Sequence, residues 1–183
     1  MERFLYRLAQ SKYQDQFVLK GALIFLAWGA PLSRPTRDID LLGLTDNAVE
    51  HLITVVKEIC QQPVESDGVV YDSSSVFGET IKEGTDYEGV RIRLLGLLGN
   101  ARAKIQIDIG FADAISPGPI PLIYPTLLDM PSPKLLGYSR ESVIAEKLQA
   151  MVYLGSINSR MKDFYDVWIL SRQFIFDGVT LQK

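Results

Sequence analysis

Two aspartates, Asp38 and Asp40, lie one residue apart in a short apolar segment. Alternate residues of a β-strand point to the same face, so a strand here would place the two carboxylates side by side, about 7 Å apart along the backbone. Aspartate is depleted in strands, and two like charges on one face repel each other unless a positive charge lies between them. A divalent cation with oxygen ligands, such as Mg²⁺, would supply that charge. The spacing therefore predicts a metal site.

A third carboxylate, Asp108, lies in a predicted strand over residues 102–111. Isoleucines hold alternate positions of this segment, so Asp108 falls on the opposite face. If this strand neighbours the one that carries the aspartate pair, three carboxylates converge and suit Mg²⁺ together with the phosphates of a substrate. In the structural alternative, Asp38 caps a turn and Asp108 pairs with an arginine, such as Arg37 or Arg93.

A lysine points inward on a predicted helix over residues 141–154. On a helical wheel, Lys147 falls in the middle of the apolar face. An ammonium group in apolar surroundings needs an anionic partner. Lys147 would therefore form a buried salt bridge, extend its long side chain to solvent, or bind a phosphate, and the sequence leaves these alternatives open.

The last predicted helix, over residues 159–173, carries two aspartates. On the wheel Asp163 leans toward the core, whereas Asp166 lies with Lys162 on the polar side, as in an ordinary surface pair. We therefore expect Asp163 to be the site residue, orienting the inward lysine or the acceptor. In the structural alternative it packs between helices and pairs with an arginine such as Arg160.

A sheet has to position these groups. Strands are predicted over residues 69–71, 76–82, 87–97, 102–111 and 120–124, with turns at Gly68, Gly84 and Gly99. Helices are predicted over residues 1–12, 17–28, 46–61, 141–154 and 159–173. Because the run of strands is not interrupted by helices, the pattern favours an α/β chain of the α+β type. Its sheet is mixed, largely antiparallel and flanked by helices, with a C-terminal helical segment.

Composition bounds the class of protein. The chain has 183 residues, of which 47% are apolar, and a net charge of −3. It therefore shows no overall basic excess, although this composition is compatible with a local basic groove. One cysteine and one histidine exclude a disulfide framework and a conventional zinc cluster. No apolar run is long enough to span a membrane, and the N-terminal residues do not form a signal peptide. We expect a cytoplasmic protein.

Five motifs occur in the order seen in AbiEii-type toxin nucleotidyltransferases, which the chain resembles over about residues 4–172. These are toxins of abortive-infection toxin–antitoxin systems within the polymerase-beta-like nucleotidyltransferase superfamily. The motifs are Phe17-Val-Leu-Lys-Gly21, Arg34-x-Thr36-Arg-Asp38-Ile-Asp40-Leu41, Ile107-Asp108-Ile-Gly110, Ile144-Ala-Glu146-Lys147 and Arg160-Met-Lys162-Asp163-Phe-Tyr165-Asp166.

The resemblance implies a nucleotidyltransferase fold and an enzyme that binds a nucleoside triphosphate with Mg²⁺ and transfers a nucleotidyl group. Its acceptor would be RNA, the 3′ end of tRNA, and a cognate antitoxin protein would counter it. We expect a core over residues 1–135 and a helical segment over residues 136–183 that packs on the core and completes the active site. The chain ends soon after its last predicted helix, where many relatives continue, which implies a short member or a truncated chain.

Carried onto this sequence, the resemblance makes Asp38 and Asp40 catalytic metal ligands, Asp108 a further metal ligand, and Lys147 and Asp163 catalytic residues. It also assigns nucleotide binding to four residues, which are Lys20, Gly21, Arg37 and Lys147. Alanine follows Gly21 where relatives often have glycine or serine, so backbone N–H groups would have to bind the phosphate there. The alternative functions are nucleotidyl transfer to a small molecule, as in aminoglycoside modification, and a non-catalytic nucleotide-binding module.

Overall fold

The computed structural model describes residues 1–30, 36–83, 87–111 and 114–181. Its strands are β1 (Phe17–Lys20), β2 (Asp38–Gly43), β3 (Val69–Glu83), β4 (Tyr87–Leu98), β5 (Ala101–Gly110), β6 (Ile120–Ile123) and β7 (Lys134–Gly137). Its α-helices are α1 (Glu2–Gln10), α2 (Ile24–Ala27), α3 (Val49–Cys60), α4 (Arg140–Leu154), α5 (Met161–Gln173) and α6 (Gly178–Leu181). None of the described helices has the length and apolar character needed to cross a membrane. The predicted turn at Gly84 and the motif residue Arg34 lie outside the described residues.

Seven strands form one sheet in the order β3-β4-β5-β2-β1-β7-β6. The β2–β5 and β1–β7 pairs are parallel. The β1–β2, β3–β4 and β4–β5 pairs are antiparallel. This topology confirms the predicted α+β class with a mixed, helix-flanked sheet, and it places β2, which carries the aspartate pair, in the middle of the sheet.

The chain divides into two compact units. One comprises Met1–Asp113 and Pro121–Gly137, and the other comprises Ala114–Ile120 and Tyr138–Lys183. The first unit contains α1 to α3 and nearly all of the sheet, and the second contains α4 to α6. The expectation that residues 136–183 complete an active site stays a prediction.

Alternation along the strands gives the sheet of the first unit one apolar and one polar face. Ile39, Ile92 and Ile107 are fully buried and belong to the same hydrophobic core as residues of α1 and α3. Because side chains of a strand alternate between faces, the residues between these isoleucines face the other way. The polar side chains of β2, β4 and β5 therefore share the face opposite to the core.

A buried ionic cluster ties α1 to the start of β3. Arg3 Nε donates to Asp67 Oδ2 at 2.8 Å, and Arg7 donates to both oxygens of Asp67 at 2.7 and 3.0 Å. Burial alone would raise the pKa of the Asp67 carboxyl. The two guanidinium groups and the backbone N–H of Val69 outweigh burial and hold this pKa well below its usual range. Asp67 is therefore charged wherever the fold is intact near neutral pH.

The predicted helix over residues 17–28 is wrong. Phe17–Lys20 form the buried strand β1, and only Ile24–Ala27 are helical. Gly21 separates the two with a left-handed φ of 65°. All four residues of β1 are buried, and a strand buried on both faces cannot be distinguished by periodicity from a buried helix.

The remaining predicted elements are present, with shifted ends. The two predicted strands over residues 69–71 and 76–82 are one strand, β3, whose register with β4 shifts between Asp72 and Phe77. The predicted edge strand over residues 120–124 is β6, and the last two predicted helices are α4 and α5. Strand β7 was not predicted, because four residues that follow a proline-rich segment carry too little periodicity.

Candidate active site

Asp38 and Asp40 lie on the polar face of β2, as their spacing predicted. Both side chains are partly buried, and Ile39 between them points into the core with no exposed surface. The sheet neighbours of β2 are β5 on one side and β1 on the other. The pair is therefore held on a central strand, which limits the movement of its backbone.

Strand pairing aligns four charged residues in one row across the sheet. Lys20 on β1 is opposite Asp40, Asp40 is opposite Asp108 on β5, and Asp108 is opposite Arg91 on β4. Neighbouring strands lie about 5 Å apart, so each charge has the next one within reach. The row reads positive, negative, negative, positive, and Lys20 is only 7% exposed. A buried ammonium and a buried carboxylate are compatible with this fold because opposite charges stand beside them.

Asp108 is engaged by an arginine on the adjacent strand. Arg91 donates from Nε and Nη2 to the two oxygens of Asp108 at 2.8 and 2.7 Å, and Gln106 Nε2 donates at 3.1 Å. The hydrogen bonds to Asp108 raise the pKa of Arg91 above its ordinary value. The structural alternative for Asp108 is thus observed, although its partner is Arg91 and not Arg37 or Arg93.

The donor set for a metal consists of two carboxylates. Within the described ranges, no group of three or more His, Cys, Asp and Glu side chains is arranged to hold a metal ion. Strand pairing does bring Asp108 beside Asp40, as predicted, but Arg91 binds both oxygens of Asp108, and its role as a metal ligand stays a prediction. Mg²⁺ commonly takes only one or two protein carboxylates and completes its shell with water and phosphate oxygens. Asp38 and Asp40 fit that requirement.

The turn after β1 lies directly against Asp40. A Cβ atom at Gly21 would overlap the Asp40 carboxylate, so a side chain at this position would displace it. Gly21 also adopts a left-handed backbone conformation, which glycine adopts at little cost. Of the other predicted nucleotide-binding residues, Lys20 precedes this turn in β1 and Arg37 is exposed immediately before β2. Three of the four predicted nucleotide-binding residues thus adjoin the aspartate pair.

In the second unit, Lys147 is buried and held by two carboxylates. Lys147 Nζ donates to Asp163 Oδ1 at 2.9 Å and forms an ion pair with Asp166 Oδ2 at 2.9 Å. Burial alone would lower the pKa of the lysine. The Asp166 and Asp163 carboxylates outweigh burial and raise this pKa above its ordinary value. The buried salt bridge, one of three alternatives for Lys147, is the arrangement observed, and phosphate binding stays a prediction.

The prediction that Asp166 belongs to the exposed face of its helix is wrong. Asp166 is 2% exposed, and Lys162, its expected partner, is exposed to solvent. Asp163, Asp166 and Leu170 are the buried residues of α5. Residues three apart on a helix are neighbours, so the spacing of the two aspartates was the signal that could have identified the second one.

Arg91 was also missed. It stands between Val90 and Ile92, which are buried, and Arg93 follows at the next alternate position. This alternation predicts an arginine row on the face opposite to the core. What the sequence lacks is the register of β4 against β5, and that register is what brings Arg91 opposite Asp108.

Two solved structures are similar to this chain. The crystal structure of JHP933 from Helicobacter pylori matches with a TM-score of 0.57 at 17% identity, over 94% of this chain and 63% of that one. The crystal structure of a proposed nucleotidyltransferase from H. pylori matches with a TM-score of 0.56 at 19% identity, over 94% and 65%. At such identities the likeness shows the fold alone. The chain spans less than two thirds of the length of either structure.

A family model provides the identification. No curated protein sequence matches the chain. The model of the nucleotidyl transferase AbiEii toxin, type IV toxin–antitoxin system, matches residues 3–183. This range includes the aspartate pair of β2, the turn at Gly21 and the buried lysine of α4. The chain therefore belongs to the AbiEii family of nucleotidyl transferase toxins of type IV toxin–antitoxin systems.

Proposed function

We propose that the protein is a Mg²⁺-dependent nucleotidyltransferase that acts in the cytoplasm as the toxin of a toxin–antitoxin pair. It transfers a nucleotidyl group from a nucleoside triphosphate to RNA, with the 3′ end of tRNA as the acceptor, and a cognate antitoxin protein opposes it. The observation that carries the proposal is the Asp38 and Asp40 pair, fixed on one face of a central strand with the Gly21 turn against Asp40. Family membership supports the class of reaction.

Asp38 and Asp40 are the residues that would hold Mg²⁺. The bound ion would supply positive charge to the triphosphate and to the pyrophosphate that leaves. The protein contributes alignment, since both carboxylates project from one strand that is paired on both sides. Because Gly21 has no side chain, the backbone of this turn can lie directly against the Asp40 carboxylate. Reactions of this kind depend mainly on positioning and on stabilisation of charge in the transition state.

We further propose that Lys147 binds phosphate and that Asp163 and Asp166 orient it. The support for phosphate binding is the family motif, because the structure pairs the lysine with two carboxylates. Both carboxylates already engage the Lys147 ammonium. Phosphate binding therefore requires that Lys147 exchange at least one carboxylate for a phosphate oxygen.

The test follows the fate of two phosphates of the substrate. The protein is incubated with Mg²⁺, total tRNA and each nucleoside triphosphate, labelled either at the α- or at the γ-phosphate. Nucleotidyl transfer retains the α-phosphate and releases the other two as pyrophosphate. We therefore expect α-label, and no γ-label, in a band of tRNA size. Asp40→Asn should reduce the rate by about a hundredfold or more, because it removes charge stabilisation at the reacting phosphate.

The same labelling experiment includes a matched control and distinguishes the competing functions. Asp129→Asn makes the same change at an exposed aspartate outside the site and should keep the wild-type rate. Label in a small product would favour the small-molecule alternative. Binding of Mg²⁺ and nucleotide without any product would favour the non-catalytic module. Equal rates for wild type and Asp40→Asn would contradict the proposed role of the pair.

A further inference from the structure

Strands β3 to β5 extend beyond the part of the sheet that contains the aspartate pair. Strand β5 begins at Ala101, but its pairing with β2 begins only at Gln106. Residues 101–104 of β5 are therefore paired with β4 alone and are exposed. Two residues of this extension, Arg102 and Lys104, together with Phe77 of β3 and Arg93 of β4, form what we call the outer patch.

The outer patch lies on the same face of the sheet as the aspartate pair. Strand pairing places Phe77 opposite Arg93, Arg93 opposite Gln106, and Gln106 opposite Asp38, so these residues share one row. Lys104 and Arg102 stand two and four residues before Gln106 on β5, and alternate residues of a strand share a face. Three strand spacings separate Phe77 from Asp38, which is about 15 Å. The patch is thus continuous with the proposed reaction centre.

The cations of the outer patch are available to an anionic ligand. Arg102 and Lys104 are exposed, and neither forms an ion pair with any residue that the structure describes. Arg93 pairs with Glu79 at 2.7 Å, but their side chains are 48% and 39% exposed. An ion pair this exposed contributes little to stability, so a phosphate can replace the Glu79 carboxylate at low cost.

Phe77 adds an aromatic ring to this surface. Its side chain is 57% exposed, although it stands within a strand of a sheet whose other face is a packed core. Proteins that bind single-stranded nucleic acids combine cations that follow the phosphates with exposed aromatic rings on which bases stack. Whole-chain charge does not explain the patch, since the net charge of the protein is −3.

We propose, building on the function proposed above, that the outer patch binds the single-stranded end of the RNA acceptor beside the aspartate pair. Arg93, Arg102 and Lys104 contact its phosphates, and Phe77 stacks on a base. The acidic side chains of a peptide would meet the same cations but carry no ring to stack on Phe77, whereas every nucleotide of an RNA carries a base. The combination of charge and an exposed ring therefore favours RNA as the occupant.

Binding is measured by the fluorescence anisotropy of a labelled single-stranded RNA that ends in the tRNA 3′ sequence, over a series of salt concentrations. Arg102→Ala/Lys104→Ala should weaken binding by about tenfold and reduce the slope of log K against log salt by about 1.4, or about 0.7 for each lost phosphate contact. Lys57→Ala/Lys134→Ala removes two exposed cations that lie outside the outer patch, on α3 and β7. This control should leave both quantities unchanged.

The ring is tested separately from the charges. Phe77→Ala should weaken RNA binding by about tenfold with no change in the salt slope, because stacking involves no counterion release. Phe77→Tyr should restore the affinity. Equal losses in Phe77→Ala and Phe77→Tyr would contradict stacking, and displacement of the RNA by polyglutamate as readily as by unlabelled RNA would contradict specificity for nucleic acid.

Failure of this inference is distinguishable from failure of the proposed function. Mg²⁺–nucleotide binding, measured without RNA, should be the same in the outer-patch variants and in the wild type. If wild type binds no RNA, or if the patch variants bind it as tightly as wild type, the inference is wrong, whatever acceptor receives the label. If the patch variants lose RNA binding but wild type transfers no label, the patch stands and nucleotidyl transfer is wrong.

Discussion

At the scale of single residues, the clearest feature is a buried lysine shared by two carboxylates. Lys147 is the sole ammonium in the trio that it forms with Asp163 and Asp166. Removing one aspartate leaves the lysine paired with the other, whereas removing the lysine takes the same ammonium from two buried carboxylates. Loss of the lysine should therefore destabilise the fold more than loss of either aspartate.

Substitutions in this trio should follow that order. Lys147→Met should lower the free energy of unfolding by about 3 kcal/mol or more, because it removes the ammonium that contacts both buried carboxylates. Asp166→Asn should cost about 1 kcal/mol, since a hydrogen bond to the lysine can be retained. Urea unfolding at neutral pH measures both values. A larger loss for Asp166→Asn than for Lys147→Met would contradict the shared-lysine arrangement.

At the scale of elements, the turn between β1 and α2 controls the position of Asp40. Gly21 and Gly29 both have left-handed backbones, with φ of 65° and 68°. A Cβ at Gly21 would overlap the Asp40 carboxylate, whereas one at Gly29 would meet nothing within 4 Å. Substitutions at the two glycines therefore distinguish the effect of backbone strain from the effect of displacing Asp40.

Gly21→Ala should reduce nucleotidyl transfer by about a hundredfold, because a displacement of about 1 Å at a reacting group has this effect. Gly29→Ala carries the same backbone strain of about 1 kcal/mol and should keep nearly full activity. Initial rates at saturating nucleotide compare the two variants. If Gly29→Ala loses as much activity as Gly21→Ala, strain and not overlap with Asp40 is the cause.

The attachment of α1 through Asp67 should depend on pH. The pKa of Asp67 is lowered in the folded state, so below the ordinary carboxyl range the unfolded chain binds a proton that the folded chain does not. Stability from this group is therefore fully present above about pH 5, one unit above the carboxyl pKa of the unfolded chain, and is lost progressively as the pH falls further. The free energy of unfolding is measured by urea titration in steps of about half a pH unit. Between pH 5 and pH 3 it should fall more steeply for the wild type than for Asp67→Asn. Parallel curves would contradict a lowered pKa.

Local patterns predicted strand faces better than strand neighbours. Alternating isoleucines around Asp108, and the spacing of Asp38 and Asp40, placed these carboxylates on the polar face of the sheet correctly. The same patterns could not show that Arg91 stands opposite Asp108, because register depends on turns and on packing far along the chain. Strand β1 was missed because a fully buried strand has no polar alternation. Asp166 was missed because Lys162, four residues earlier, suggested a surface pair.

At the scale of the whole molecule, the positions of the charged residues are more informative than the net charge. The chain is acidic overall, yet the polar face of its sheet carries paired charges beside the aspartates and exposed cations farther out along β5. Such a face suits a reaction that brings a triphosphate to a metal and a polyanionic acceptor next to it.

The central claim is that Asp38 and Asp40, without Asp108, form the metal–triphosphate centre. Calorimetric titration of Mg²⁺–nucleotide into wild type, Asp38→Asn, Asp40→Asn and Asp108→Asn tests it most directly, with Asp129→Asn as the exposed control. Loss of either aspartate of the pair should weaken binding by about tenfold or more, because each supplies a ligand oxygen and a charge. Asp108→Asn and the control should bind within about threefold of wild type, well inside one tenfold step of affinity. Wild-type affinity in Asp38→Asn and Asp40→Asn, with binding lost only in Asp108→Asn, would contradict the account.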